Sequence, residues 1–77
     1  MIDGRLIGNE LRLLRNKVQK TAEEVSSDMN IHQNTLYKYE RDATDLPLGL
    51  FQKMLKYYDI NEIIFFNNIR DYNHSKK

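Results

Sequence analysis

The hydrophobic positions of this 77-residue chain recur at helical spacing in five successive segments. In the first segment, Ile7, Leu11 and Leu14 stand at i, i+4 and i+7, so they would share one face of a helix. Leu13 and Val18 are expected to widen that apolar face. The same pattern along the chain predicts an all-α fold with helices over residues 6–16, 22–29, 32–41, 48–58 and 61–70.

Residues 21 to 41 carry the sequence signals of two short helices joined by a tight turn. Thr21 and Glu24 predict a capping box, in which each side chain accepts a hydrogen bond from the other residue's backbone amide. Asn30 adopts a left-handed backbone at low cost, so the chain is expected to turn there. In the helix that follows, Leu36 and Tyr39 are expected to face the core. The side chains expected to project outward are Gln33, Asn34, Tyr37, Lys38 and Arg41.

This outward face is rich in amides and cations, which are groups that read the base edges of duplex DNA. Asn and Gln bond bidentately to adenine, Lys bonds to the acceptor edge of guanine, and an α-helix fits the major groove. Twelve basic and eleven acidic residues leave a net charge of only +1, so DNA binding must depend on local charge. Such charge is found within residues 11–20, at Arg12, Arg15, Lys17 and Lys20.

The 21–41 segment resembles the helix-turn-helix of the phage repressor and Cro-like family of DNA-binding proteins, and the resemblance extends over about residues 6–66. It implies a compact five-helix, lambda-repressor-like domain whose third helix enters the major groove of duplex DNA. The base contacts implied are Gln33, Asn34 and Lys38. The phosphate contacts implied are Thr21, Arg15, Thr35, Tyr37 and Arg41. A homodimeric transcriptional repressor would read an inverted repeat with half-sites about 34 to 36 Å apart.

Arg15 and Glu40 stand where family members often have an arginine and a glutamate that pair, which would hold the third helix against the first. The alternative is two solvated surface charges that contribute about 0 to 1 kcal/mol as a pair. The chain also departs from the family pattern. Ala22 stands where many relatives have a glutamine that touches a DNA phosphate, and Asp59 stands where relatives usually have glycine.

The fifth predicted helix has more adjacent apolar residues than one buried face can hold. Part of this apolar surface is therefore expected to stay exposed in a monomer and to form the dimer interface. The residues assigned to this interface are Ile63, Ile64, Phe65, Phe66 and Ile69.

Composition excludes several other classes of protein. There is no cysteine to form a disulfide or ligate a metal, and His32 and His74 have no second ligand at suitable spacing. With three glycines in all, no glycine-rich phosphate loop and no catalytic constellation, the chain is not expected to be an enzyme or to carry a cofactor or metal. No apolar run approaches the roughly 18 residues that span a bilayer, so a cytoplasmic protein without membrane contact is expected.

The remaining expectations concern domain limits and alternatives. Residues 1–70 are predicted to form the DNA-binding domain and residues 71–77 a polar, frayed tail. Residues 1–5 lack a clear helix cap, so they are expected to be loosely held. One alternative is a protein–protein interaction module that has kept the fold without the DNA role. Another is an antitoxin or plasmid-control protein, which would bind operator DNA and a protein partner.

Overall fold

The computed structural model describes the backbone of residues 3–75 and the side chains of residues 3–70. The described residues form five helices and no strand, which confirms the all-α prediction. The helices are α1 Gly4–Lys17, α2 Ala22–Met29, α3 Gln33–Arg41, α4 Leu48–Tyr57 and α5 Glu62–Ser75.

Each of the five helices contributes one large, fully buried side chain to a single core. These side chains are Leu11, Val25, Leu36, Met54 and Phe65. Complete burial of an apolar side chain of this size is worth about 1.5 to 3 kcal/mol. The core therefore lies at the centre of the helix packing, and it holds α2 and α3 in place from the inside.

The start of α1 differs from the expectation of an uncapped, loosely held segment. The carboxylate of Asp3 accepts hydrogen bonds from the amides of Arg5, at 2.9 Å, and Leu6, at 3.1 Å. The bond from Leu6 is the main reason that the pKa of Asp3 is lowered. The amide of Ala43 also donates to the carbonyl of Gly4 at 2.8 Å. The helix consequently begins two residues earlier than predicted, and its first turn is tied to the loop after α3.

Three residues assigned to the core are less buried than predicted. Leu13 is 43% exposed and Val18 is 42% exposed. Leu13 lies about 100° around α1 from the buried Leu14, and Val18 is the C-cap residue beyond the last turn. Tyr39 is only half-buried, because the next residue, Glu40, takes the inner position on α3 at 5% exposure.

Gly8 determines how closely α1 approaches α3, a role the residue pattern did not predict. It is buried within α1, and an added Cβ would lie 2.4 Å from the Tyr39 carbonyl oxygen and 2.7 Å from the Glu40 carbonyl oxygen. Backbone carbonyls cannot move aside as a flexible side chain can. A residue without a side chain is therefore required where the two helices cross.

The connections between helices depend on three non-glycine residues in the left-handed region. Asn30 has φ 61° and ψ 45° at the end of α2, as predicted. Asp59 takes the same region, with φ 57°, after α4. Gln19, with φ 59°, lies in the connection between α1 and α2.

The last helix is longer than predicted. Asn61 caps it, because its side-chain oxygen accepts from the Ile64 amide at 2.9 Å. The backbone then remains helical to Ser75, past the point where a frayed tail was expected, and no glycine or proline interrupts it. The side chains of residues 71–77, and Lys76 and Lys77 entirely, lie outside the described residues.

Between Asp3 and Ser75, none of the helices is both long and apolar enough to cross a bilayer. The Tyr57 hydroxyl donates to the Asp28 carboxylate at 2.5 Å, which links α4 to α2.

Candidate nucleic-acid interface

The second and third helices meet through the turn that the residue pattern predicted. The Thr21 hydroxyl oxygen accepts from the Glu24 amide at 3.1 Å, and the Glu24 carboxylate accepts from the Thr21 amide at 2.9 Å. This capping box confirms that α2 begins at Ala22, and the bond from the Thr21 amide to the Glu24 carboxylate is the main reason that the pKa of Glu24 is lowered. The amide of Ile31 then donates to the Ser26 carbonyl at 2.9 Å, which closes the turn into α3.

The outer face of α3 is a continuous polar surface. The exposed side chains on it are Gln33, Asn34, Tyr37, Lys38 and Arg41. Thr35, also in the first turn, is half-buried. The N-cap residue His32 makes no side-chain cap, so the first amides of α3 are not bonded to a capping side chain. The leading end of the helix thus combines exposed amide side chains with the partly positive end of the helix dipole.

The two amide side chains at this end differ in freedom. The side-chain nitrogen of Gln33 donates to the Tyr37 hydroxyl at 3.3 Å, one turn further along the helix. The Gln33 carbonyl oxygen therefore keeps its accepting capacity, and the tyrosine hydroxyl keeps its proton to donate. Asn34 makes no side-chain hydrogen bond to the described residues, so all its donors and acceptors face solvent.

Arg15 and Glu40 form a bidentate ion pair across the α1–α3 contact. Arg15 Nε lies 2.8 Å from Glu40 Oε2, and Arg15 Nη2 lies 3.0 Å from Glu40 Oε1. The side chains are 12% and 3% exposed, respectively. Such a fork-to-fork arrangement is the strongest geometry available to this pair of residue types. The alternative of two solvated surface charges does not fit this burial.

The remaining nitrogen of Arg15 is also used within the chain. Its Nη1 donates to the Lys20 carbonyl at 3.1 Å, so each of the three guanidinium nitrogens has a protein acceptor. The bonds to Glu40 are the main reason that the pKa of Arg15 is raised. This arrangement positions α3 and the entrance to α2. Nη1 and Nη2 each keep one further N–H donor, so the phosphate contact that the family resemblance implied for Arg15 stays a prediction.

The other residues expected to contact phosphates differ in exposure and in the donors that they have left. Arg41 and Tyr37 are exposed, with Tyr37 42% accessible. Thr21 is exposed, but its oxygen already accepts the Glu24 amide, so only its hydroxyl proton remains to donate. Ala22 is 3% exposed, and nothing at that position can reach a phosphate with a side chain.

A groove of about 450 Å³ lies beside α3, between its outer face and α1. It is lined by Arg5, Asn9, Arg12, Arg15, Tyr37, Glu40 and Arg41. The residue pattern showed that Arg12 belongs to a basic stretch but assigned it no contact, and Arg5 was assigned none either. Their spacing contained the signal, since Arg5, Asn9 and Arg12 stand at i, i+4 and i+7 and share one face of α1.

The surface predicted to form a dimer is smaller than expected. Phe65 is fully buried and Ile69 is 2% exposed, because both point into the core, where the Phe65 ring meets the Phe51 ring edge-on at 5.3 Å. These two residues are therefore not available to a partner in the folded chain. Ile63, 74% exposed, and Ile64, 49% exposed, remain on the surface, with Phe66 half-buried beside them.

Comparison with known proteins agrees with this geometry. The sequence matches the model of the helix-turn-helix family over residues 11–65, a range that begins in α1, includes α2, α3 and α4, and ends in α5. No curated protein sequence and no solved structure gives a significant match.

Proposed function

Because the chain belongs to the helix-turn-helix family of DNA-binding transcriptional regulators, we propose that it is a small repressor which reads an inverted repeat as a homodimer. The observation that carries this proposal is the exposed, polar outer face of α3, held rigidly by the core and by the Arg15–Glu40 pair. We propose that it acts in the cytoplasm. Like the family in general, it would act by binding and not by catalysis.

Sequence reading is assigned to the leading end of α3. We propose that Gln33, Asn34 and Lys38 contact base edges in the major groove, where a good bidentate pair provides about 1 to 3 kcal/mol of discrimination. The free amide of Asn34 is the best suited to a bidentate bond with adenine. Gln33 would bond to a base through its carbonyl oxygen. To use its side-chain nitrogen as well, it would have to break its hydrogen bond to the Tyr37 hydroxyl.

Phosphate binding is assigned to groups that set the register without reading sequence. Arg41 and Tyr37 are exposed on the same side of α3, and Thr21 and Thr35 lie at the starts of α2 and α3. Arg15 positions α3 through its bonds to Glu40 and Lys20, and we propose that its remaining N–H donors on Nη1 and Nη2 contact a neighbouring phosphate. The buried Ala22 leaves the phosphate near α2 to the Thr21 hydroxyl and the backbone amides.

A dimer is supported by the small footprint of a single domain and by the apolar surface left on α5. One module of this size buries about 600 to 1,000 Å² on DNA, which is too little for strong specificity. Ile63, Ile64 and Phe66 would form the core of a two-fold contact. Each partner would then present its own α3 to one half-site, about 34 to 36 Å apart.

The test is a mobility-shift titration of the DNA upstream of the chain's own gene, at two salt concentrations. Asn34→Ala should weaken binding and flatten the preference for the operator over unrelated duplexes. Arg41→Ala should lower affinity for every duplex and reduce the salt dependence by about one unit. Lys53→Ala, at an exposed position on α4, is the control and should change neither. If Asn34→Ala and Arg41→Ala behave alike, the assignment of roles on α3 is wrong.

A second candidate is a protein-interaction role, either in place of DNA binding or added to it as in an antitoxin or plasmid-control protein. The observation that favours it is an open groove of about 860 Å³, bordered by α1, α4 and α5, whose lining includes Val18 and Ile64. Absence of any duplex binding, together with retention of a protein partner, would favour this candidate over the repressor.

A further inference from the structure

We propose that the DNA backbone runs along the groove between α1 and α3, where Arg5, Arg12 and Arg41 bind consecutive phosphodiesters. This inference rests on the proposed DNA-binding function and extends the contact surface from the helix-turn-helix to the outer face of α1. We refer to this groove as the basic groove; its lining residues are Arg5, Asn9, Arg12, Arg15, Tyr37, Glu40 and Arg41.

The basic groove has two walls at helical spacing. Arg5, Asn9 and Arg12 form the α1 wall, and Tyr37 and Arg41, one turn apart, form the α3 wall. Gln33 stands one turn before Tyr37 and bonds to it, so the α3 wall continues directly into the surface assigned to base reading. A helix inserted into the major groove has a phosphate strand along each side. The basic groove is therefore where one of these strands would pass.

The charge of the basic groove suits a polyanion. Four arginines and one glutamate line it, and that glutamate is 3% exposed and bonded to Arg15. The charges left facing solvent are those of Arg5, Arg12 and Arg41. Guanidinium groups match phosphate oxygens with paired N–H donors, which an ammonium group does not.

The neighbouring acids do not cancel this charge. Asp3 lies 3.4 Å from Arg5, but this pair is exposed, with side chains 48% and 77% accessible, so a phosphate can replace the carboxylate at little cost. Asp42 accepts from both the amide and the hydroxyl of Thr44, and these bonds lower the pKa of Asp42, so its carboxylate stays ionised. It lies against the start of α1, where it offsets part of the charge of Arg5 and leaves that of Arg12 and Arg41 to face a phosphate.

Arg12 is the arginine best prepared for this contact. Its Nη2 donates to the Asn9 side-chain oxygen at 2.6 Å, one turn earlier on α1. This bond limits the orientations of the guanidinium and leaves its Nε and Nη1 donors available. An oriented donor loses less side-chain entropy when it binds a phosphate than a free one does.

The experiment measures the salt dependence of binding to a random-sequence 30-base-pair duplex by fluorescence anisotropy. Arg12→Ala and Arg5→Ala should each reduce the slope of log Kd against log salt by about 0.9, the value for one lost phosphate contact. Arg12→Lys keeps the charge and should retain most of the slope. Lys53→Ala removes one positive charge from α4, which lines neither wall of the basic groove, and should leave the slope unchanged. Circular dichroism would verify that every variant is folded.

The outcomes separate this inference from the function on which it rests. If the unaltered chain binds the duplex and Arg41→Ala lowers the slope, but Arg5→Ala and Arg12→Ala match Lys53→Ala, the basic groove is not a phosphate site while DNA binding stands. If the unaltered chain binds no duplex, both proposals are wrong. A polyglutamate peptide serves as a second probe in the same assay. If Arg5→Ala and Arg12→Ala weaken binding of this peptide but not of the duplex, the groove recognises acidic protein and the inference is overturned.

Discussion

The Arg15–Glu40 pair allows the sharpest test of how α3 is held in place. The perturbation is a set of three variants, Arg15→Met, Glu40→Leu and the double substitution, which replace the charged side chains with apolar ones that still fill part of their space. In each single variant one charged group stays in the α1–α3 contact without its partner. In the double variant neither charge remains to be buried.

The size of the effect follows from burial and bonding. Removing one partner of a buried ion pair costs about 3 to 5 kcal/mol, because the other charge is left uncompensated. Arg15→Met should be the worse single change, since it strands a carboxylate only 3% exposed. After Glu40→Leu, the guanidinium keeps its bond to the Lys20 carbonyl and is 12% exposed. The double variant should lose much less, because two apolar side chains can pack in the same space.

These losses are large for a chain of this length. At roughly 0.05 to 0.15 kcal/mol per residue, the whole free energy of unfolding is about 4 to 12 kcal/mol. A loss of 3 kcal/mol would lower Tm by about 12 to 24 °C, at the 4 to 8 °C per kcal/mol typical of small domains.

The assay is urea unfolding followed by circular dichroism, with the three variants and the unaltered chain forming a double-mutant cycle. We expect a coupling free energy above about 2 kcal/mol. A coupling below about 1 kcal/mol, the range of exposed pairs, would refute the claim that this pair positions α3.

Three further predictions concern packing and hydrogen bonds. Gly8→Ala should destabilise the fold by about 1 to 3 kcal/mol, because the added Cβ meets backbone carbonyls of α3. Gly49→Ala is the control: its Cβ meets nothing within 4 Å, so it should stabilise the fold by up to about 1 kcal/mol. The same urea assay measures both. Tyr57→Phe should lower the free energy of unfolding by about 0.5 to 1.5 kcal/mol, because it removes the hydrogen bond to Asp28. Tyr58→Phe should be neutral or stabilising, because the buried Tyr58 hydroxyl has no partner among the described residues. Equal losses of stability in thermal melts would contradict this contrast. The bond to Asp28 raises the pKa of Tyr57 from 10.0 to about 12. The contribution of this bond to stability should therefore be complete below pH 10 and lost as the pH rises through 12. Phenolate absorbance would measure the pKa, and thermal melts of Tyr57→Phe at several pH values would measure the contribution.

The two helices that form the motif were largely predictable because their signals are local. The Thr21–Glu24 capping box and the left-handed Asn30 each depend on residues within four positions along the chain. The bounds of α4 were also predicted to within one residue, from apolar positions one turn apart. The outward side of α3 follows from the same periodicity, since the buried Leu36 fixes which side faces inward.

The predictions of side-chain burial were wrong in helices where more apolar residues are adjacent than one face can bury. Leu13 and Phe65 both belong to apolar runs, yet Leu13 is 43% exposed and Phe65 is fully buried. Periodicity leaves the rotation of a helix uncertain when the apolar stripe is broad, and the packing of neighbouring helices resolves it. The same packing reduced the proposed dimer surface on α5 to Ile63, Ile64 and Phe66.

By itself, the sequence determined the five helices, the turn between α2 and α3 and the polar character of the α3 outer face, because caps and periodicity act between near neighbours. The tertiary structure alone decided that Gly8 lets α1 approach the α3 backbone, that all three nitrogens of Arg15 bond within the chain, and that Arg5 and Arg12 line one groove with Arg41. Apart from the bond between Arg15 and Lys20, which are five positions apart, these contacts join residues about 25 to 36 positions apart, and only the packing of the helices brings them together.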